Sequence, residues 1–171
     1  MQTAITYNKI PAVFAYIIAY DANNLWGLQD CNKNIAPSLC QLGSEFIRNN
    51  TPRILERYAH YSSTIAKYIG TYGNIVFFIE PDFWQYFGRN KTSTPGPMYG
   101  QQQGGAITGS QMRSLFGQIV ATIKTYLPNA AISFDISPWL AEYQMIQWWA
   151  YFADSPDIDF LHQVGGPNNG K

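Results

Sequence analysis

Charge is scarce in this chain. Asp, Glu, Lys and Arg together make up 13% of its 171 residues, roughly half the usual share, and 11 acidic against 11 basic side chains leave no formal net charge. The basic residues are scattered along the sequence, so no stripe offers phosphates the counterion-releasing contact that nucleic acid binding needs. Long apolar runs are missing as well. Ala12 to Ala19 is apolar but far below the roughly 18 residues that span a bilayer, so no membrane segment is expected. Met1 to Lys9 has no basic start followed by an apolar stretch, and no signal peptide is expected there, a pattern that a mature secreted chain shares. The two histidines, His60 and His162, have no cysteine at ligand spacing, so neither a metal nor another cofactor is expected. Gly100 to Gly109 lacks the lysine and the spacing of a phosphate loop, and no Gly-x-Ser-x-Gly elbow supports Ser-His-Asp catalysis.

What is present is apolar and aromatic. Hydrophobic residues reach 46%, enough for the core of one globular domain over residues 1–171, and aromatics reach 16%, with 12 Tyr, 10 Phe and 5 Trp. A neutral polar surface with spare aromatic rings suits a neutral, hydroxyl-rich ligand, because sugar rings lay their C–H faces on aromatic faces and hydrogen-bond at their rims. A polysaccharide or oligosaccharide is the expected partner, although most rings of this kind fill cores. Cys31 and Cys40 are close enough to staple one loop in an oxidising compartment, or to remain free thiols in a reducing one. Asn49-Asn50-Thr51 and Asn90-Lys91-Thr92 fit the N-glycosylation acceptor pattern, the first weakened by Pro52. These features point to an extracellular glycoprotein.

Strands and helices alternate. Ala12 to Tyr20 reads as a strand buried on both faces, followed by a polar loop from Asp21 to about Gly43. Thr51 and Pro52 then signal a helix start, and Ile54, Leu55, Tyr58, Tyr61, Ile65, Tyr68 and Ile69 recur at helical spacing until Gly70 and Gly73. The second strand runs from Asn74 to Ile79 and ends at Glu80-Pro81-Asp82, since Pro81 cannot continue a central ladder. Gly88 to Gly109 reads as a long lid-like loop. Ser110 is expected to cap a helix with Met112, Leu115, Phe116, Ile119, Val120, Ile123 and Leu127 on one face. Ala130 to Asp135 is the third strand, an aromatic-rich helix with Leu140, Ile146, Trp149 and Phe152 follows, and Ile158 to Val164 is the fourth strand. The pattern predicts an α/β fold with a parallel sheet, a partial or distorted TIM-like β/α barrel with at least four βα units. A complete barrel takes roughly 250 residues, so a fragment of a longer barrel, or a smaller open sheet, is implied.

In such folds the side chains at strand carboxyl ends converge on the ligand. Asp21, Glu80, Asp82 and Asp135 fall there, four of the 11 acids. Helix capping is an equal explanation for Asp21 and Asp135, but a weaker one for two acids flanking a proline after an apolar strand. Glycosidic hydrolysis asks for one protonated carboxylic acid and a second carboxylate, and a neighbouring negative charge with partial burial raises one pKa to supply the acid.

Tyr20-Asp21 with Asp30-Cys31 in the same loop, the helix around Tyr58 to Tyr68, Ile79-Glu80-Pro81-Asp82 and Phe134-Asp135 resemble, in order, the core of glycoside hydrolase family 6 over about residues 12 to 164. The resemblance implies an inverting cellulase-like enzyme, with Asp82 as general acid, Asp30 as the carboxylate tuning its pKa, Tyr20 near the distorted sugar, Glu80 beside the substrate and Asp135 lining the cleft. Trp26, Trp84 and Trp139 would be sugar platforms. The sequence departs from the family after Asp82, where Phe83-Trp84-Gln85-Tyr86 stands, and after Asp135, where Ile136-Ser137-Pro138-Trp139 stands. The family's base region corresponds to sequence beyond Lys171. Two alternatives stand beside this one: a retaining barrel using Glu80, and a non-catalytic carbohydrate-binding or structural protein on a glycosidase-like scaffold.

Overall fold

The computed structural model describes residues 4, 6–30, 37–83, 86, 107–135 and 142–162, without the side chains of 142, 144, 147 and 148. Among these, four strands alternate with helices: β1 (Ala12–Ala15), α1 (Ile17–Trp26), α2 (Leu39–Ile69), β2 (Ile75–Ile79), α3 (Gly109–Tyr126), β3 (Ala130–Asp135), α4 (Glu142–Phe152) and β4 (Phe160–His162). The strands form one parallel sheet in the order β1-β2-β3-β4, and it is not closed. The chain is thus α/β, and each strand lies beside its predecessor with no reversal of order.

Register places Phe77 beside Ile132 and Ile79 beside Phe134, so these side chains share a face. Tyr61 from α2 meets Phe77 edge-on at 6.3 Å, and Phe116 from α3 and Phe152 from α4 meet Phe134 at 4.9 and 4.6 Å. Three helices therefore cover one side of the sheet, and the core lies between. Met112, Leu115, Phe116, Ile119, Val120, Ile123 and Leu127 are all buried there, as the helical stripe predicts. The opposite face carries Phe14 stacked on Phe78 at 4.5 Å, with Phe160 edge-on to Phe78.

Three expected boundaries are corrected. The apolar run Ala12 to Tyr20 is a strand only to Ala15; Tyr16, at φ −90° and ψ 53°, turns the chain into α1, which buries Ile18 and Ala22 and ends at Gly27 in the left-handed region at φ 68°. Within the expected polar loop from Asp21 to about Gly43, residues 21–26 and 39–43 are therefore helical. Helix α2 begins at Leu39, where the Gln41 side chain accepts the Ser38 N–H at 3.2 Å, and it runs through Pro52. The Asn50 amide and Thr51 hydroxyl donate to the carbonyls of Phe46 and Ile47, both at 2.8 Å, in the turn ahead of that proline. Thr108, not Ser110, caps α3: its Oγ1 accepts the Gln111 N–H at 3.2 Å while Gln111 accepts the Thr108 N–H at 2.7 Å. Leu140, at the expected start of the fourth helix, and most of the expected lid, 88–106, lie outside the described residues.

Candidate active site

The carboxyl ends of β1 and β2 open into a cavity of about 370 Å³ whose walls include Tyr16, Tyr20, Leu28, Asp30, Asp82 and Tyr86. Each wall has a local cause. Leaving β1 at Ala15, the chain puts Tyr16 at the start of α1, and one turn later Tyr20 stands 63% exposed at the rim. The segment after α1 is held by a short parallel bridge in which the Gln29 N–H donates to Pro37 and the Leu39 N–H donates back to Gln29, both at 2.9 Å. This bridge fixes Asp30. Cys40, the second residue of α2, is disulfide-bonded; Cys31, its partner in the expected pair, lies outside the described residues.

Asp82 is reached through a tight turn. The Glu80 N–H still donates to the Ala15 carbonyl at 3.0 Å as a continuation of the ladder, but Glu80 adopts φ 40°, a region a non-glycine residue enters at a cost, and its carbonyl accepts the Phe83 N–H at 2.7 Å. The turn directs Asp82 into the cavity beside Asp30. Partial burial pushes the Asp82 carboxyl above the usual Asp range, and the negative charge of Asp30 adds to this, while a hydrogen bond from Tyr16 works the other way. Burial is also the first cause holding the Tyr16 phenol well above its ordinary value, with Asp82, Asp135, Glu80 and Asp30 adding to it.

Glu80 is not exposed to the cavity at all. Its side chain is fully buried, with Oε1 accepting the Ile18 N–H at 2.7 Å and the Tyr58 hydroxyl at 2.9 Å, and Oε2 accepting the Tyr86 hydroxyl at 3.2 Å. Burial pushes its pKa up to about 7 against the pull of these donors. The expectation sets this carboxylate beside the substrate or attacking it; the fold places it behind the cavity wall, engaged by three donors.

The remaining expected residues scatter. Asp21 lies inside α1, 2% exposed, and ties it to α2 through Arg53 at 3.0 Å and Arg57 at 3.6 Å; it is a structural ion pair. Trp26 ends α1 and packs edge-on against Phe46 at 5.3 Å, away from the cavity wall. Asp135 ends β3, 5% exposed, with its Oδ1 3.8 Å from the Nε2 of His162, whose Nδ1 pairs with the Ser133 hydroxyl. Burial lowers the His162 pKa. Asn49 is exposed but sits within α2, where the Thr51 hydroxyl of its triplet is engaged by Ile47. Trp84, Trp139 and Asn90 lie outside the described residues.

The residue that sequence reasoning misses is Tyr16, which touches Asp82 where Tyr20 was expected to do the work at the sugar. Ile18, Ala22 and Leu25 recur at helical spacing, a signal that the strand stops before them and leaves Tyr16 at its carboxyl end. No family model, no curated protein and no solved structure matches the chain, so the chemistry of the cavity rests on its own residues.

Proposed function

We propose that this chain is a secreted, inverting glycoside hydrolase acting on the β-glucosidic bonds of a polysaccharide such as cellulose, built on part of a β/α barrel. The unreversed strand order and the placement of α2, α3 and α4 on one side of the sheet support the barrel. The disulfide at Cys40 supports an oxidising compartment.

The observation that carries the activity is the pairing of Asp82 and Asp30 on one cavity, with Asp82 held towards its protonated form by burial and by the charge of Asp30. A carboxylic acid so placed delivers its proton to the glycosidic oxygen as the bond to the anomeric carbon breaks, and a water molecule attacks that carbon from the opposite face of the ring and gives up a proton to the surrounding solvent. Asp30 keeps that proton on Asp82 to a higher pH than an isolated aspartate would. Tyr16 orients the carboxyl group, and Tyr20 offers an exposed ring at the rim for a sugar to lie on.

The test is reducing-sugar release from soluble β-glucan. Asp82→Asn is expected to lower it by at least 100-fold while the variant melts within a few degrees of wild type, and product released by the wild type should carry the inverted anomer. Equal release by wild type and variant refutes the assignment. Glucan binding without release by either protein replaces it with the non-catalytic carbohydrate-binding reading.

A further inference from the structure

Helix α1 begins without the usual provisions. Its N-cap is Tyr16, whose side chain makes no capping hydrogen bond, and its first turn carries no acidic residue. The unpaired N–H groups and the positive end of the helix dipole at such a start call for an anion. Glu80, 62 residues further along the chain, supplies it from the end of β2 by accepting the Ile18 N–H, with Ile17 contributing a second backbone contact. The same carboxylate takes the hydroxyl of Tyr58 from α2, which also reaches the Ala15 carbonyl at 3.3 Å, and the hydroxyl of Tyr86 from the cavity wall.

These are the groups that face it, and together they join β1, α1, α2 and the segment after β2. Asp82 follows Glu80 by two residues and Tyr16 precedes Ile18 by two. The two ends of the Tyr16–Asp82 hydrogen bond are therefore both mounted on Glu80.

We infer that Glu80 is the positioning residue of this site: its buried carboxylate clamps the first turn of α1 so that the Tyr16 hydroxyl meets Asp82. The inference rests on Asp82 being the acid of the proposed hydrolase. Glu80 itself touches no ligand. Its effect travels through Tyr16, so releasing the clamp raises the proton affinity of Asp82 by taking a donor away from the carboxylate. Where Glu80 is ionised, removal of its negative charge would act in the opposite direction.

The sign decides between the two. In the full chain labelled with 13C at the aspartate carboxyl, the Asp82 resonance is titrated in wild type, Glu80→Leu, which leaves no acceptor for the Ile18 N–H, Tyr16→Phe and the double variant. Each single variant should raise the Asp82 midpoint by about one to two pH units, the scale of one hydrogen bond to a charged group, and the double variant should match Tyr16→Phe alone. Tyr58→Phe, which takes one donor from the clamp, should raise it by less and decides the matter if Glu80→Leu does not fold. An unchanged or lowered midpoint, or effects of Glu80→Leu and Tyr16→Phe that add, overturns the clamp. Because the resonance reports Asp82 directly, a chain that releases no sugar ends the hydrolase reading while the titration still decides this one.

Discussion

The burial of Glu80 makes the stability of the chain depend on pH, with a sign opposite to that of most salt-bridged carboxylates. In the unfolded chain Glu80 titrates near 4.5, and in the fold burial pushes it up to about 7. Between these values the native state holds more protons than the unfolded state, so stability falls as pH rises. The contribution is fully present below pH 4.5 and is lost as pH climbs through 7. At 1.36 kcal/mol per pH unit, the interval from 4.5 to about 7 corresponds to about 3 kcal/mol. With no solvent contact, this figure needs no reduction for screening. Glu80→Gln keeps the size of the side chain and removes the proton, and the rotatable hydroxyls of Tyr58 and Tyr86 can still meet an amide.

The assay is urea unfolding of wild type and Glu80→Gln at several pH values between 4 and 8, taking the difference between the two proteins at each. Other titrating groups, among them Asp82 with its raised pKa and His162 with its lowered one, are common to both proteins and cancel to first order. The variant should gain on wild type by about 3 kcal/mol from pH 4.5 to 7.5. A difference that stays flat within about 0.5 kcal/mol refutes the reasoning, because a buried carboxylate that ionises in water but not in the protein must show the linkage.

Much of this architecture is legible in the sequence, for reasons that also explain the failures. Ile75–Ile79 and Ala130–Asp135 are short apolar runs bounded by turn signals, and α3 shows its stripe openly, so local pattern and tertiary placement agree. The run from Ala12 to Tyr20 is different: a buried strand and a buried helix face are equally apolar, and only the Tyr16 backbone separates them. Pro52 reads as a helix start because its missing N–H is harmless there, yet in α2 it is tolerated mid-helix. Asp30 and Asp82 stand out in the sequence through the resemblance, and both line one cavity. Tyr16 was hidden by the overlong strand. The burial of Glu80 is not legible because it depends on α1 folding across it, a contact between residues 62 apart that no local pattern encodes.

Two further predictions concern the packing that supports the site. Phe116 is fully buried and faces Phe83, Phe134 and Phe152 with ring centroids at 6.0, 4.9 and 5.9 Å, so Phe116→Ala should cost about 3–5 kcal/mol in urea unfolding. A loss under about 1 kcal/mol would mean that these rings are not the core. Gly43 on α2 leaves no room for a methyl group: a Cβ there would stand 2.8 Å from the Tyr86 carbonyl oxygen and 2.9 Å from its Cβ. Backbone cannot swing aside as a flexible side-chain tip can, so Gly43→Ala should cost about 1–3 kcal/mol by displacing the segment that carries Tyr86. Because the Tyr86 hydroxyl is one of the donors to Glu80, the loss should be larger at pH 8, where the carboxylate is ionised and needs that donor, than at pH 5, where it is protonated. An equal loss at both values would show that the clash is relieved without moving the hydroxyl, and that α2 holds the cavity wall independently of the carboxylate behind it.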